Sequence, residues 1–240
     1  MRVENIEYTL NGTTHIGTLA VDESRSGRRP AVLVCHEGPG ITDVTRDKAK
    51  RLAEAGYVAF ALDYHGGAAV MNGLQETIAR LGPLMQDPDA TRALGRAGLN
   101  VLLAQPETDP SKVAAIGYCF GGTMVLELAR AGEDLKAVVG FHSGLATTRP
   151  DDAKNVKGKV LVCIGTEDPL IPADQRTAFE HEMRTAGVDW RMNLYGGAVH
   201  SFTNPQAALV GVPGIAYHAP TDARSWAAMI DLFDEVFGSH

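Results

Sequence analysis

The chain has 240 residues, 45% of them hydrophobic and 21% charged, the proportions of an ordinary globular protein and not of a disordered or fibrous one. A formal net charge of -7, with no Lys/Arg cluster interleaved with aromatics, argues against nucleic acid as a partner, and no apolar run is long enough to span a bilayer. Three cysteines, Cys35, Cys119 and Cys163, behind an N-terminus (MRVENIEYTL) that lacks the apolar core of a secretory signal, predict a cytoplasmic protein with no disulfide framework and room for a working thiol.

Residues 3–10 and 13–21 alternate polar and apolar side chains around Asn11-Gly12, the dipeptide that best tolerates the positive φ of a tight hairpin turn. From residue 30 the pattern changes to short apolar runs separated by helical segments, which predicts βα units feeding a mostly parallel central sheet covered by helices on both faces. The expected strands are Ala31–Cys35, Val58–Leu62, Val113–Gly117, Ala137–Phe141, Val160–Ile164 and Trp190–Leu194. Between 89 and 104, helical spacing puts Ala90, Ala93, Leu94, Ala97 and Val101 on one face. Trp226, Met229, Ile230, Phe233 and Phe237 do the same near the end, and both faces should pack on the sheet. No repeat or polar linker divides the chain, so residues 1–240 read as one domain. Two long loops, 63–73 and 201–220, have the length of lids or binding loops.

The segment 113–129 runs from a β-branched strand straight into a helix through Gly117-Tyr118-Cys119-Phe120-Gly121-Gly122. In so sharp a turn only glycine fits two positions to either side of the central residue, which is pushed into strain and exposure. The helix that follows directs its positive end and free amides at the sulfur, favouring thiolate and offering an oxyanion site, chiefly at the Phe120 amide. A buried core cysteine in a Gly-bounded turn would look the same locally. Asp168, in GTEDPLIP, and His200, in GGAVHSF, each follow a different predicted strand; alone, one reads equally as a helix cap and the other as a surface histidine. Together the three stand in the order nucleophile, acid, histidine, which is that of the α/β-hydrolase fold. Glu167 competes for the acid's place by spacing alone.

The chain resembles the dienelactone hydrolase family through CHEGPG (35–40), LDYHGG (62–67), GYCFGG (117–122), GTEDPLIP (165–172) and GGAVHSF (196–202), a likeness that runs from about residue 3 to the C-terminal helix. The resemblance implies a cysteine nucleophile at Cys119 and favours Asp168 over Glu167 as the acid. It gives Glu37 the place of a glutamate that contacts the thiol and helps to ionise it, and makes the Gly38 amide the second oxyanion donor. Without it, His36-Glu37 would read as a polar strand end facing water. Family members that take dienelactone hold its carboxylate with two arginines; this chain has Asn204 at one of those places, and only Arg80 lies in the region of the other.

The expected chemistry is acyl transfer from a small-molecule ester or lactone to Cys119, with His200 moving the proton, Asp168 orienting it, and no metal or cofactor. His181-Glu182 lacks a second histidine one turn on, and His36, Glu37 and His65 fit no ligand spacing. Tyr64, His65, Asn204, Tyr217 and His218 are candidate pocket residues. The rival reading is a non-catalytic binding or redox-sensing protein in which Cys119 is a reversibly oxidised thiol. Oligomeric state is not written in the sequence.

Overall fold

The computed structural model describes residues 1–238. Asn11 and Gly12 take φ of 50° and 79° and close the predicted hairpin between β1 (Arg2–Leu10) and β2 (Thr13–Val21). Six strands follow: β3 (Arg29–Cys35), β4 (Val58–Leu62), β5 (Thr108–Tyr118), β6 (Ala137–Phe141), β7 (Lys159–Gly165) and β8 (Trp190–Tyr195). All eight lie in one sheet of order β1-β2-β4-β3-β5-β6-β7-β8, antiparallel as far as β2–β4 and parallel beyond. The central strands are buried on both faces, which is why they read as continuous apolar runs.

Helices α1 (Asp43–Glu54) and α6 (Ala219–Phe237) cover one face, where Leu52, Trp226, Met229 and Phe233 pack with Val32, Val34, Ile116 and Leu161. The other face is covered by α2 (Leu74–Gln86), α3 (Pro88–Leu103), α4 (Phe120–Arg130) and α5 (Ala173–Thr185), with Leu99, Met124, Leu128 and Phe179 against Leu33, Phe60 and Val162. The expected face of α6 is the buried one, except that Ile230 is half-buried.

For α3 the expected face is only partly right: Leu94 and Val101 do pack against the core. Ala90, Ala93, Leu94, Ala97 and Val101 are only half-buried, whereas Thr91, Arg92, Gly95, Gly98, Leu99 and Leu102 face inward. Two glycines decide it. A Cβ on Gly98 would stand 2.6 Å from Leu62 Cβ, and one on Gly95 3.0 Å from Leu128 Cδ1, so the helix is drawn in along its smallest residues, a signal that hydrophobicity does not carry.

Arg92 turns inward because it belongs to a buried ion network. Its guanidinium lies 2.7 Å from Glu127 and 2.7 Å from Asp152. Arg130, 1% exposed, donates to Glu127 (2.9 Å), to Glu182 (2.8 Å) and to the Leu145 carbonyl (2.9 Å). These charges tie α3, α4 and α5 together at the C-terminal end of α4.

Strand order reverses at β3: β4 lies on one side of it and β5 on the other. The loops leaving β3 and β5 therefore diverge over a crevice at the carboxyl edge of the sheet, the usual place for a ligand in such folds. Among the described residues no helix is long and apolar enough to cross a membrane.

Candidate active site

Cys119 sits between β5 and α4 with φ 53° and ψ -120°, a conformation that L-residues rarely adopt and that marks stored strain. Its neighbours make the turn possible only as glycines. A Cβ on Gly117 would come within 2.0 Å of the Gly121 carbonyl oxygen, and one on Gly121 within 2.2 Å of the Cys35 carbonyl oxygen. The Cys119 amide is held by the Phe141 carbonyl at 3.0 Å, and the sulfur-bearing residue stays half-exposed. As the first residue of α4, Phe120 has an amide with no acceptor inside the helix. Cys35 and Cys163 are buried strand residues; burial pushes both thiols up, that of Cys163 to about 12.

His200 and Asp168 come together from the loops after β8 and β7. Nδ1 of His200 lies 2.8 Å from Asp168 Oδ2, and both side chains are buried. Asp168 Oδ1 accepts the Leu170 amide at 2.9 Å, which holds the carboxylate in place. Glu167 is exposed, and among the described residues its side chain bonds Thr166 and not His200. The His200 backbone is fixed in turn by the loop beyond it: its amide donates to Gly214, and its carbonyl accepts from Ala216.

The other ring nitrogen, Nε2, is buried without a well-aligned partner and faces the Cys119 sulfur. Burial pushes the His200 pKa down. The neighbouring Cys119 sulfur and the hydrogen bond to Asp168 outweigh it and lift the value from 6.5 to about 10. Protonation of this ring thus stabilises the fold fully below pH 6.5, and the contribution is lost as pH rises through about 10. Removing the sulfur should lower the His200 pKa. An NMR titration of the imidazole in Cys119→Ala checks this, and an unmoved value would mean that Asp168 alone sets it.

Glu37 is half-buried. Among the described residues it forms no hydrogen bond to Cys119. Asn204 Nδ2 donates to its Oε2, and Oε1, without a hydrogen-bond partner among the described residues, lies 3.8 Å from His142 Nε2. Burial raises the Glu37 pKa, against the polar groups of Ser201 and Asn204 and the charges of His200 and Lys48. The Asn204 amide, four residues past His200, thus donates to the Glu37 carboxylate.

Tyr64 and His65 are both buried beneath the loop 36–40, with Tyr64 stacked on His36 at 3.7 Å and edge-on to Phe120 at 5.4 Å. Arg80 donates from Nε and Nη2 to His65. Tyr217 is exposed and donates to Asp222 at 3.3 Å, and the His218 ring, at the N-terminus of α6, bonds the Thr221 hydroxyl at 2.7 Å; among the described residues no hydrogen bond or ring contact joins either side chain to Cys119 or His200. His36, read as facing water without the family likeness, is fully buried.

His142 was not anticipated. It follows β6 with φ 40°, is fully buried, meets the His200 ring edge-on at 5.2 Å and pairs with Thr203 Oγ1 at 2.9 Å. Burial, then the neighbouring His200 charge, holds it well below 6.5 and therefore neutral. Its place just past a parallel strand, like that of Cys119, Asp168 and His200, was the available signal. Among the described residues no three His, Cys, Asp or Glu side chains converge as a metal site.

A model of the dienelactone hydrolase family matches residues 16–237. The crystal structure of the dienelactone hydrolase-like promiscuous phosphotriesterase P91, from metagenomic libraries, is 43% identical and superposes with a TM-score of 0.95, covering 99% of each chain. A putative carboxymethylenebutenolidase of a Synechocystis strain is 28% identical over 86% of this chain and 86% of its own. A probable 2-oxo-3-(5-oxofuran-2-ylidene)propanoate lactonase of a Bradyrhizobium species is 26% identical over 82% of each.

Proposed function

Because this chain belongs to the dienelactone hydrolase family, we propose that it hydrolyses a carboxylic ester or lactone with Cys119 as nucleophile, His200 as acid–base and Asp168 as the group that orients His200. One observation carries the reading: a buried imidazole held by Asp168 through Nδ1, with Nε2 left without a protein acceptor or donor among the described residues and Cys119 close enough to shift its titration. The sulfur attacks the carbonyl carbon, an S–C bond forms, and the carbonyl electron pair moves onto oxygen, where the amides of Phe120 and Gly38 receive it. The C–O bond then breaks and His200 gives its proton to the leaving oxygen. Water, deprotonated by His200, cleaves the thioester, releases the acid and restores the thiol.

Substrate preference follows from the charges around the site. Arg80 is engaged by His65, and position 204 carries an amide engaged by Glu37, so nothing cationic is free on these two residues to hold a substrate carboxylate. A neutral ester, lactone or thioester fits better than an anionic dienelactone. The test is turnover of p-nitrophenyl acetate and of a neutral lactone beside a dienelactone carboxylate, repeated in His200→Ala. The reading expects neutral substrates to win and His200→Ala to lose turnover; full activity without the imidazole would refute it.

The redox-sensing alternative draws on Cys119 being the one half-exposed cysteine of the three. Peroxide oxidation of Cys119 with no turnover of any acyl substrate would favour it.

A further inference from the structure

The peptide unit between Glu37 and Gly38 is held in a way that its place at a loop does not require. Its carbonyl oxygen accepts three hydrogen bonds: from the Tyr64 hydroxyl at 2.8 Å, from His36 Nδ1 at 2.6 Å and from the Gly40 amide at 3.2 Å. Burial pushes the His36 pKa down to about 3, so the ring is neutral, and a carbonyl partner requires Nδ1 to carry its proton. The next carbonyl, that of Gly38, accepts from His65 Nε2 at 2.8 Å. Arg80 Nε donates to Nδ1 of the same ring, which places the His65 proton on Nε2. Two consecutive peptide units are thus pinned by aromatic donors from LDYHGG and from His36, while α2 closes the far side: a Cβ on Gly38 would meet Thr77 Cγ2 at 2.7 Å.

We infer that Tyr64 is a positioning residue for the oxyanion site: its hydroxyl, with His36 and His65, fixes and polarises the peptide whose N–H belongs to Gly38. In a trans peptide the N–H points away from its carbonyl, so anchoring the Glu37 oxygen inward aims the Gly38 amide outward, and none of the described peptide bonds is cis. That amide makes no hydrogen bond among the described residues. Donors on a carbonyl also draw electron density from its own N–H and strengthen it as a donor. Preorganised donors of this kind act where charge develops and need no rearrangement at the moment of reaction. The stacking of Tyr64 on His36 and its edge contact with Phe120 tie both amide donors to one rigid aromatic cluster.

The inference rests on the acyl-transfer reading above, and its test separates the two. Tyr64→Phe keeps the buried ring and removes one donor. Weakening a single oxyanion donor without deleting it should lower kcat on p-nitrophenyl acetate about tenfold, with KM within about twofold. Alkylation of Cys119 by iodoacetamide uses the sulfur and His200 but no oxyanion site, and should stay within about twofold of wild type. His65→Ala should show the same division, and it carries the test if Tyr64→Phe does not fold. Unchanged kcat, or alkylation that falls in step with kcat, overturns the inference while leaving the nucleophile in place. If Cys119→Ala turns over as well as wild type, both readings fall together.

Discussion

Replacing Cys119 with alanine is expected to lower ester turnover by at least about a thousandfold, roughly 4 kcal/mol of transition-state stabilisation, while the protein stays folded. The size follows from what the sulfur does. It is the atom that bonds the acyl carbon, and neither Cys35 nor Cys163 can replace it, because both are fully buried in strands with their thiols pushed up by burial. Stability should change little. Cys119 is half-exposed, alanine tolerates its φ of 53° no worse, and the glycines that shape the turn remain. Initial rates on p-nitrophenyl acetate, with a thermal melt of the same sample, decide the matter; a Cys119→Ala protein that retained a tenth of the wild-type rate would remove the sulfur from the chemistry.

The second large effect concerns stability. Arg130→Ala should cost about 3–5 kcal/mol, because it strands Glu182 and half of the Glu127 pairing in the interior without a counter-charge. In a domain of this size that corresponds to a fall in Tm of roughly 10 °C. Urea midpoints measure it directly. A loss under about 1 kcal/mol would mean that water reaches the site and solvates the remaining carboxylates. Activity per folded molecule should hold better than stability, since Arg130 lies at the far end of α4 from Cys119 and touches none of the groups proposed to act.

Five of the parallel strands were legible because a sheet covered on both faces demands continuous apolar runs, and such runs recur at βα spacing; the sixth, β8, is a half-exposed edge strand of mixed character. Cys119, Asp168 and His200 were legible through their positions just past strands and their order along the chain. The buried face of α3 was not. It follows from Gly95, Gly98 and the inward Arg92, which hydrophobic periodicity scores as weak or wrong but which fit against Leu62, Leu128 and Glu127.

The contacts of Glu37, Asn204, Tyr64 and His65 were hidden for a related reason. Each is a polar residue whose meaning lies in a partner distant along the chain: Asn204 on Glu37, Tyr64 on the Glu37 carbonyl, His65 on that of Gly38. Sequence determines what must be buried and where a strand must turn, because hydrophobicity and glycine's freedom are properties of single residues and their spacing. Which buried donor meets which acceptor is a matter of distances near 2.8 Å between loops, and only the assembled sheet brings those loops together.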